Sequence, residues 1–201
     1  LQINADYYVK YNRNMLTAQN LRAVIGIGTP RKNNGELKSW GWELEARYKG
    51  KVGKDFTYSI SANLSDNQNE LRNFAGRNIV SAGTVGTVEG FPVNSIFGYK
   101  TAGYFTTADE VKAWAFQDNR TGAGDVKYVD LIGDGKITVG DGNTSNMGDL
   151  VFLGTTQPRY LFGTTLTLNW KGLDFSAFVQ GVGKRSYRPE TETIADPSLP
   201  A

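Results

Sequence analysis

The chain has 201 residues, with 22 basic and 20 acidic side chains and neither cysteine nor histidine. Without cysteine there are no disulfides, thiol nucleophiles or cysteine-based zinc sites, and without histidine the commonest general base is missing. The near balance of charge indicates no large basic surface for nucleic acid, and no apolar run reaches the roughly 18 residues of a membrane helix.

Alternation of apolar and polar residues predicts five β-strands with two unlike faces, because successive side chains of a strand point to opposite sides. No apolar-face position carries a charge. Tight glycine-bearing turns are predicted at 49–54 and 171–172, whereas the links 11–37 and 66–159 are long. The predicted strands are residues 1–10, 38–48, 55–65, 160–170 and 173–179.

Aromatic residues concentrate near the two ends of the apolar faces, with aliphatic residues between them. In the second strand, Trp40 and Trp42 come first, Leu44 and Ala46 follow, and Tyr48 ends the run. A bilayer favours this order, because amphipathic rings settle at the headgroups, whereas a soluble sandwich more often places large aromatics mid-strand. The pattern predicts an all-β fold, an antiparallel up-and-down transmembrane β-barrel segment of about five strands with a long extracellular loop insertion containing a short helix.

Closure of a barrel in lipid needs roughly eight strands or more, so five strands are expected to be an arc of a larger barrel, or the membrane interpretation is wrong. The expected organisation is one incomplete barrel domain. Residues 1–66 hold three strands and one long loop, 67–158 form the extracellular insertion, and 159–201 hold two strands and the start of the next loop.

The insertion is too long for a bare loop and is expected to have its own small core. Thr107 and Glu110 have the spacing of a capping box, which predicts a short helix through about Phe116. The residues expected to face inward are the helical Val111, Trp114 and Ala115 and the loop aromatics Phe91, Phe97, Tyr99 and Tyr104.

Residues 130–141, DLIGDGKITVGD, have the spacing of an EF-hand calcium loop. Asp130, Asp134 and Asp141 occupy ligand positions, and Lys136 would contribute its carbonyl. Ile132 offers no side-chain oxygen where a third ligand is usual, and Asp141 is shorter than the customary glutamate. The sequence leaves two interpretations open, a calcium site or an Asp-Gly turn in which Asp130 and Asp134 bond local amides.

The polar faces of the strands would line water. No spacing singles out a pair of carboxylates for catalysis, so we predict neither an enzyme nor a cofactor site other than the calcium loop. No single residue is assigned to a substrate. The polar-face residues are Gln2, Asp6, Glu43, Glu45, Arg47, Ser59, Ser61, Asn63, Asp174 and Gln180.

Five segments carry a resemblance to a known family. They begin with ADYYVKYNRNML and GWELEARYKGKVGKDFTYSISANLSDNQNEL, continue with EGFPVNSIFGYKTAGYF and GDVKYVDLIGDGKIT, and end with LGTTQPRYLFGTTLTLNWKGLDFSAFVQGVG. In order and spacing the chain resembles the C-terminal half of SusC/RagA-type TonB-dependent outer-membrane transporters of Bacteroidota. Ile132 stands where that family usually has asparagine, and residues 139–152 are longer than its usual connection.

The resemblance implies import of glycan oligosaccharides, or sometimes peptides, across the outer membrane of a Gram-negative bacterium, with the long loops extracellular. The implied partners are a SusD-like surface lipoprotein, TonB acting through a plug region missing from this chain, and outer-membrane lipid; no nucleic acid is implied. The sequence leaves two other hypotheses, a soluble secreted β-rich carbohydrate-binding module with a calcium-stabilised loop and a surface-anchored glycosidase fragment.

Overall fold

The computed structural model describes residues 1–18 and 31–188. No helix in that part of the chain is long and apolar enough to cross a membrane. The elements in chain order are β1 (Gln2–Ala18), β2 (Arg31–Val52), β3 (Phe56–Asn73), β4 (Thr84–Gly86), β5 (Ser95–Tyr99), β6 (Thr101–Tyr104), α1 (Ala108–Ala113), β7 (Val126–Tyr128), β8 (Leu150–Thr155), β9 (Arg159–Trp170) and β10 (Leu173–Lys184).

The five predicted strands form one antiparallel sheet in the order β1-β2-β3-β9-β10, which confirms the up-and-down all-β prediction. The turn between β9 and β10 consists of Lys171 and Gly172, with φ values of 46° and 84°. Two consecutive residues with positive φ are typical of a type I′ hairpin turn, whose twist matches that of the strands it joins. Gly53, with φ of 64°, lies in the other short turn, between β2 and β3.

The strands are longer than the sequence predicts. The β1–β2 ladder continues past Tyr11 and Lys38 as far as Ala18 and Arg31, so much of the predicted long link 11–37 is strand. A register irregularity on either side of Met15, next to Asn14 with φ of 60°, interrupts the strict alternation and hides the strand from a period-two search. Residues 19–30 of that link lie outside the described part of the chain. Similarly, β3 and β10 continue beyond residues 65 and 179.

The described residues separate into two compact units. The first comprises the five-stranded sheet and is drawn from Leu1–Ala75, Gly90–Pro92 and Gln157–Arg185. The second is drawn from Gly76–Glu89, Val93–Thr156 and residues 186–188. Within the second unit, β4, β5 and β8 form a three-stranded antiparallel sheet, and β6 pairs with β7.

The second unit has a hydrophobic core of its own. Phe97 on β5 is 1% exposed and meets Phe152 of β8 edge-on, with ring centroids 6.1 Å apart. The expected core role of Phe97 is therefore confirmed, whereas Tyr104 is 69% exposed and the prediction for it is wrong. Phe91 belongs to the first unit. The buried apolar residues of the second unit are Val80, Val88, Ile96, Phe97, Phe105 and Leu150.

Helix α1 begins where the capping pattern predicts. The Thr107 hydroxyl accepts a hydrogen bond from the Glu110 amide at 3.2 Å, while the Glu110 carboxylate accepts from the Thr106 amide at 2.8 Å and pairs with Lys127. The bonds that the Glu110 carboxylate accepts, that of Lys127 first and then those of Thr106, lower the pKa of Glu110 from 4.5 to about 2. The helix ends at Ala113, short of Phe116, because the Trp114 backbone is extended and its indole nitrogen donates to the Tyr128 carbonyl at 2.8 Å.

Candidate functional site

The register of the sheet brings the predicted apolar positions that it pairs onto one face. Along one row, Ile3, Ala46, Ala62, Thr164 and Val179 lie directly opposite one another across the five strands. Scattered apolar side chains are normal on a protein surface, but a continuous exposed patch indicates a contact surface. Large side chains of this face that are more than 40% exposed include Ile3, Tyr7, Val9, Leu44, Tyr48, Ile60, Phe162, Trp170, Leu173, Phe175 and Val179.

The aromatic side chains of this apolar face lie in two groups. Near the short turns, Phe56 is paired with Trp170, and Tyr58 lies 5.8 Å from Tyr48 between ring centroids. Near the other end, Tyr7 is paired with Trp42. Tyr48 lies six positions after Trp42 along β2, which corresponds to about 20 Å of extended strand. Aliphatic and small side chains occupy the interval, as they do in the lipid-facing band of a membrane barrel.

Close packing of an aromatic ring over a glycine strengthens the sheet at the short-turn end. A Cβ atom at Gly50 would lie 2.6 Å from Cε1 of Tyr58, so only glycine leaves room for this ring to cross the neighbouring strand. Such coverage of a strand glycine by an aromatic neighbour helps to fix the register.

The opposite face of the sheet carries the predicted polar residues. It contains a cavity of about 490 Å³ lined by side chains from β1, β2 and β3. Asn4 donates a hydrogen bond to the Glu45 carboxylate at 3.3 Å, and Arg47 lies 3.7 Å from the same carboxylate. Asp6 is paired directly with Glu43 across the β1–β2 ladder. This polar face can therefore offer hydrogen-bond donors and acceptors to water or to a polar solute.

Three exposed apolar side chains on the polar face were not predicted. Phe178 is 62% exposed. Leu161 and Val182 are paired with each other on the same face, farther than Phe178 from the Lys171-Gly172 turn. Phe178 also lies 3.5 Å from the Cβ position of Gly163, beside Asn63. The signal in the sequence is the adjacent pair Phe178-Val179, because two neighbouring apolar residues in a strand must point to opposite faces.

A buried ion pair joins β3 to β9 at the end away from the short turns. Asp66 is 4% exposed and both of its carboxylate oxygens accept hydrogen bonds from the Arg159 guanidinium. Nearby, Asn67 donates to the Tyr8 hydroxyl at 2.7 Å. Sequence analysis missed the pair, although Asp66 is recognisable as a charge at an apolar-face position of its strand.

The predicted calcium residues do not converge into a ligand set. Within the described ranges, no three acidic side chains are grouped so that they could hold a metal ion. Asp130 accepts hydrogen bonds from the Gly133 amide at 2.6 Å and the Gly135 amide at 2.8 Å. Asp134 accepts from the Lys136 amide at 2.9 Å, and Asp141 accepts from the side chain of Asn146 at 3.1 Å. The bonds of Asp130 and Asp134 to nearby backbone amides are those expected for an Asp-Gly turn, the second of the two interpretations that the sequence leaves open.

Asp149 organises this loop, and the sequence analysis missed it. Its side chain is fully buried and accepts hydrogen bonds from the amides of Leu131 at 2.7 Å, Ile132 at 3.3 Å and Thr138 at 2.8 Å. A buried carboxylate is stable only when it is well paired, and three backbone donors provide this. The 11-residue separation between Thr138 and Asp149 matches no local motif, so the sequence carries no signal for this contact.

Comparison with known proteins supplies the deciding observation. No protein-family model matches the chain. TonB-dependent receptor P26 of Formosa agariphila is 27% identical over 88% of the chain, and receptor P3 of the same organism is 24% identical over 90%. Receptor P39 is 30% identical over 52% of the chain. The chain is homologous to TonB-dependent receptors.

The chain spans 18% of the length of P26 and of P3. Its fold matches part of the RagAB peptide transporter, with a TM-score of 0.58 and 21% identity over 89% of the chain and 18% of the transporter chain. The RagAB peptide importer in its open-open state gives a TM-score of 0.60 with 20% identity over 90% of the chain and 18% of the importer chain. The relatives named here are receptors and transporters by name.

Proposed function

We propose that this chain forms wall strands and a long loop of a TonB-dependent outer-membrane importer. The observation that carries the proposal is the two-faced sheet, whose continuous exposed apolar face is backed by a polar face. In water the apolar face would be an aggregation surface, but against acyl chains it is stable. The polar face would then line the lumen, where it meets water and solute.

The two edge strands of the sheet, β1 and β10, fit the same proposal. In the described structure β1 and β10 each pair on one side only. Unpaired backbone groups cannot find water inside a bilayer, so both edge strands would pair with further strands of the same barrel. The homologous receptors are several times longer than this chain, which leaves ample sequence for such strands.

We infer the partners and cargo of the complete importer from the resemblance to SusC/RagA-type transporters. TonB would supply energy through a plug region, and a SusD-like lipoprotein would bind at the extracellular side. The cargo would be glycan oligosaccharides or peptides, and the RagAB relatives are described as transporting peptides. Residues 67–158 would be extracellular, joined to the barrel at β3 and β9.

Cysteine labelling of cells tests this topology, because the chain itself has no cysteine. In the complete protein, with any other cysteine replaced by serine, Ser145→Cys should react with a polymer-linked maleimide too large for porins. Lys54→Cys, in the short turn, should react only after the outer membrane is opened. Labelling of both positions in intact cells, or of Lys54→Cys alone, would contradict the proposal.

A further inference from the structure

The second unit contains a pocket of about 590 Å³ that the proposed function does not use. Its half-buried wall is aromatic and aliphatic, and its exposed rim is charged. We refer to it as the tyrosine pocket, defined by Tyr99, Tyr128, Asp118, Arg120 and Asp125. This volume falls in the range of small-molecule sites, which typically combine an apolar wall with a few fixed polar groups.

The two tyrosine rings form the wall. Their centroids are 5.1 Å apart and their planes meet at 44°, so their faces are not parallel. Burial, followed by the negative charge of Asp149 and by Tyr128, raises the pKa of Tyr99 above its usual value. The Tyr99 hydroxyl therefore keeps its proton at neutral pH and can donate a hydrogen bond.

The rim offers hydrogen-bond donors and acceptors. The backbone amide and Nε of Arg120 each donate to the Asp118 carboxylate at 2.9 Å, which leaves the two terminal guanidinium nitrogens without a partner among the described residues. One oxygen of Asp125 accepts from the Gly122 amide at 2.8 Å. Since Asp118 balances Arg120, the rim carries about one net negative charge and would repel an anionic ligand.

Hydrogen bonds from neighbouring segments hold the wall in place. The Gln117 side chain donates to the Val126 carbonyl at 3.0 Å and accepts from the Tyr128 amide at 2.7 Å, so it continues the edge of β7. The Ile137 amide donates to the Phe116 carbonyl at 2.8 Å and joins the next segment to the same wall. A pocket ordered before binding loses little conformational freedom when a ligand enters.

We propose that the tyrosine pocket binds one or two sugar residues of a neutral glycan. The C–H face of a sugar ring packs on an aromatic ring, and two tilted rings suit two successive sugars, whose planes are rarely parallel. Vicinal hydroxyls can accept from the terminal nitrogens of Arg120 and donate to Asp125, so one neutral ligand satisfies both charges of opposite sign. This goes beyond the proposed function, since binding here requires no import.

The test is isothermal titration calorimetry of the complete protein in detergent. The probes are neutral hexaoses of β-1,3-glucan, β-1,4-glucan, β-1,4-xylan and β-1,4-mannan, with tetra-alanine as a peptide probe. Arg120→Ala removes the rim donors of a side chain that is 92% exposed, so the fold should be retained. Arg77→Ala, an exposed arginine of the same unit outside the pocket, is the matched control.

We expect at least one hexaose to bind, with about tenfold weaker binding in Arg120→Ala and unchanged binding in Arg77→Ala. The proposal is overturned if no hexaose binds, if Arg120→Ala binds as well as the unaltered protein, or if only tetra-alanine binding depends on Arg120. Uptake of labelled cargo by cells separates the two proposals. Normal uptake with no Arg120-dependent binding overturns the pocket alone, whereas pocket binding without uptake counts against the importer.

Discussion

Asp149 shows how much a single buried side chain decides in the second unit. Its carboxylate satisfies the amides of Leu131, Ile132 and Thr138, which lie in a loop that is otherwise largely exposed. A buried donor that loses its acceptor costs about 1–3 kcal/mol. Asp149 is thus a stronger determinant of the loop than the aspartates that the calcium pattern singles out.

We expect Asp149→Ala to open residues 131–138, because three backbone donors lose their acceptor at once. Hydrogen exchange of the complete protein, followed by mass spectrometry, should show faster exchange across this segment by about tenfold or more. Asp141→Ala is the control, since its side chain is exposed and accepts a single side-chain bond at 3.1 Å. Equal exchange rates in the two variants would show that Asp149 does not organise this loop.

Calcium binding by Asp130, Asp134, Asp141 and the Lys136 carbonyl stays a prediction, and the same exchange experiment addresses it. An ion would have to compete for the Asp130 carboxylate with the hydrogen bonds that it already accepts from the Gly133 and Gly135 amides. If calcium is held there, removing it with EGTA speeds exchange at residues 133–136, and returning calcium restores protection. If EGTA does not change the exchange rates, the loop is held by hydrogen bonds alone.

Helix α1 is an element of six residues whose stability depends on its cap and on one charged contact. A helix this short is marginal by itself, so the bonds of Thr107 and Glu110 contribute a large share of its stability. Lys127 reinforces them, since its side chain pairs with Glu110 and lies 4.8 Å from the centroid of the Trp114 ring.

The lowered pKa of Glu110 predicts the pH dependence of α1. Because its folded pKa of about 2 is below the usual 4.5, the ionised side chain stabilises the folded state above pH 4.5, and this contribution is lost as the pH falls toward 2. Exchange of residues 106–114, corrected for intrinsic rates, should rise over that interval and stay constant from pH 5 to 8. Glu110→Gln should abolish the acid-dependent rise; a rise that persists in this variant would assign it to another group.

Local patterns in the sequence determine the elements better than they determine the contacts between them. Strand faces, the Lys171-Gly172 turn and the Thr107 cap were predictable, because each depends on neighbours within a few residues. The strand extension past Asn14 was hidden by a register irregularity. The Asp66–Arg159 pair joins residues 93 apart in sequence, so no local pattern could reveal it.

At the scale of the whole molecule, the apolar face should not accept charge. Ala46→Arg or Leu166→Arg would place a guanidinium near the middle of the hydrocarbon layer, at a cost of about 2–4 kcal/mol. We expect less assembled protein in the outer membrane, measured as the heat-modifiable band on gels. Thr165→Arg, on the polar face beside Leu166, should assemble normally; equal assembly of all three variants would contradict the lipid-facing assignment.

The sequence predicted the sheet and its two faces, but not the ligand chemistry of the polar face. Phe178, Leu161 and Val182 change that face from uniformly polar to mixed, and the register shows that they share it with Asn63 and Glu45. In the proposed importer, cargo selectivity would depend on such combinations of polar and apolar side chains along the lumen.

The environment of two adjacent residues on β3 tests the central proposal most directly. Nitroxide spin labels at Ala62→Cys and Asn63→Cys, in the complete protein reconstituted in lipid, report their collision rates with oxygen and with a polar nickel chelate. Because the side chains point to opposite faces, we expect the label at 62 to meet mainly oxygen and the label at 63 mainly the chelate. Similar collision rates at the two sites, or the reverse order, would show that the apolar face does not contact lipid.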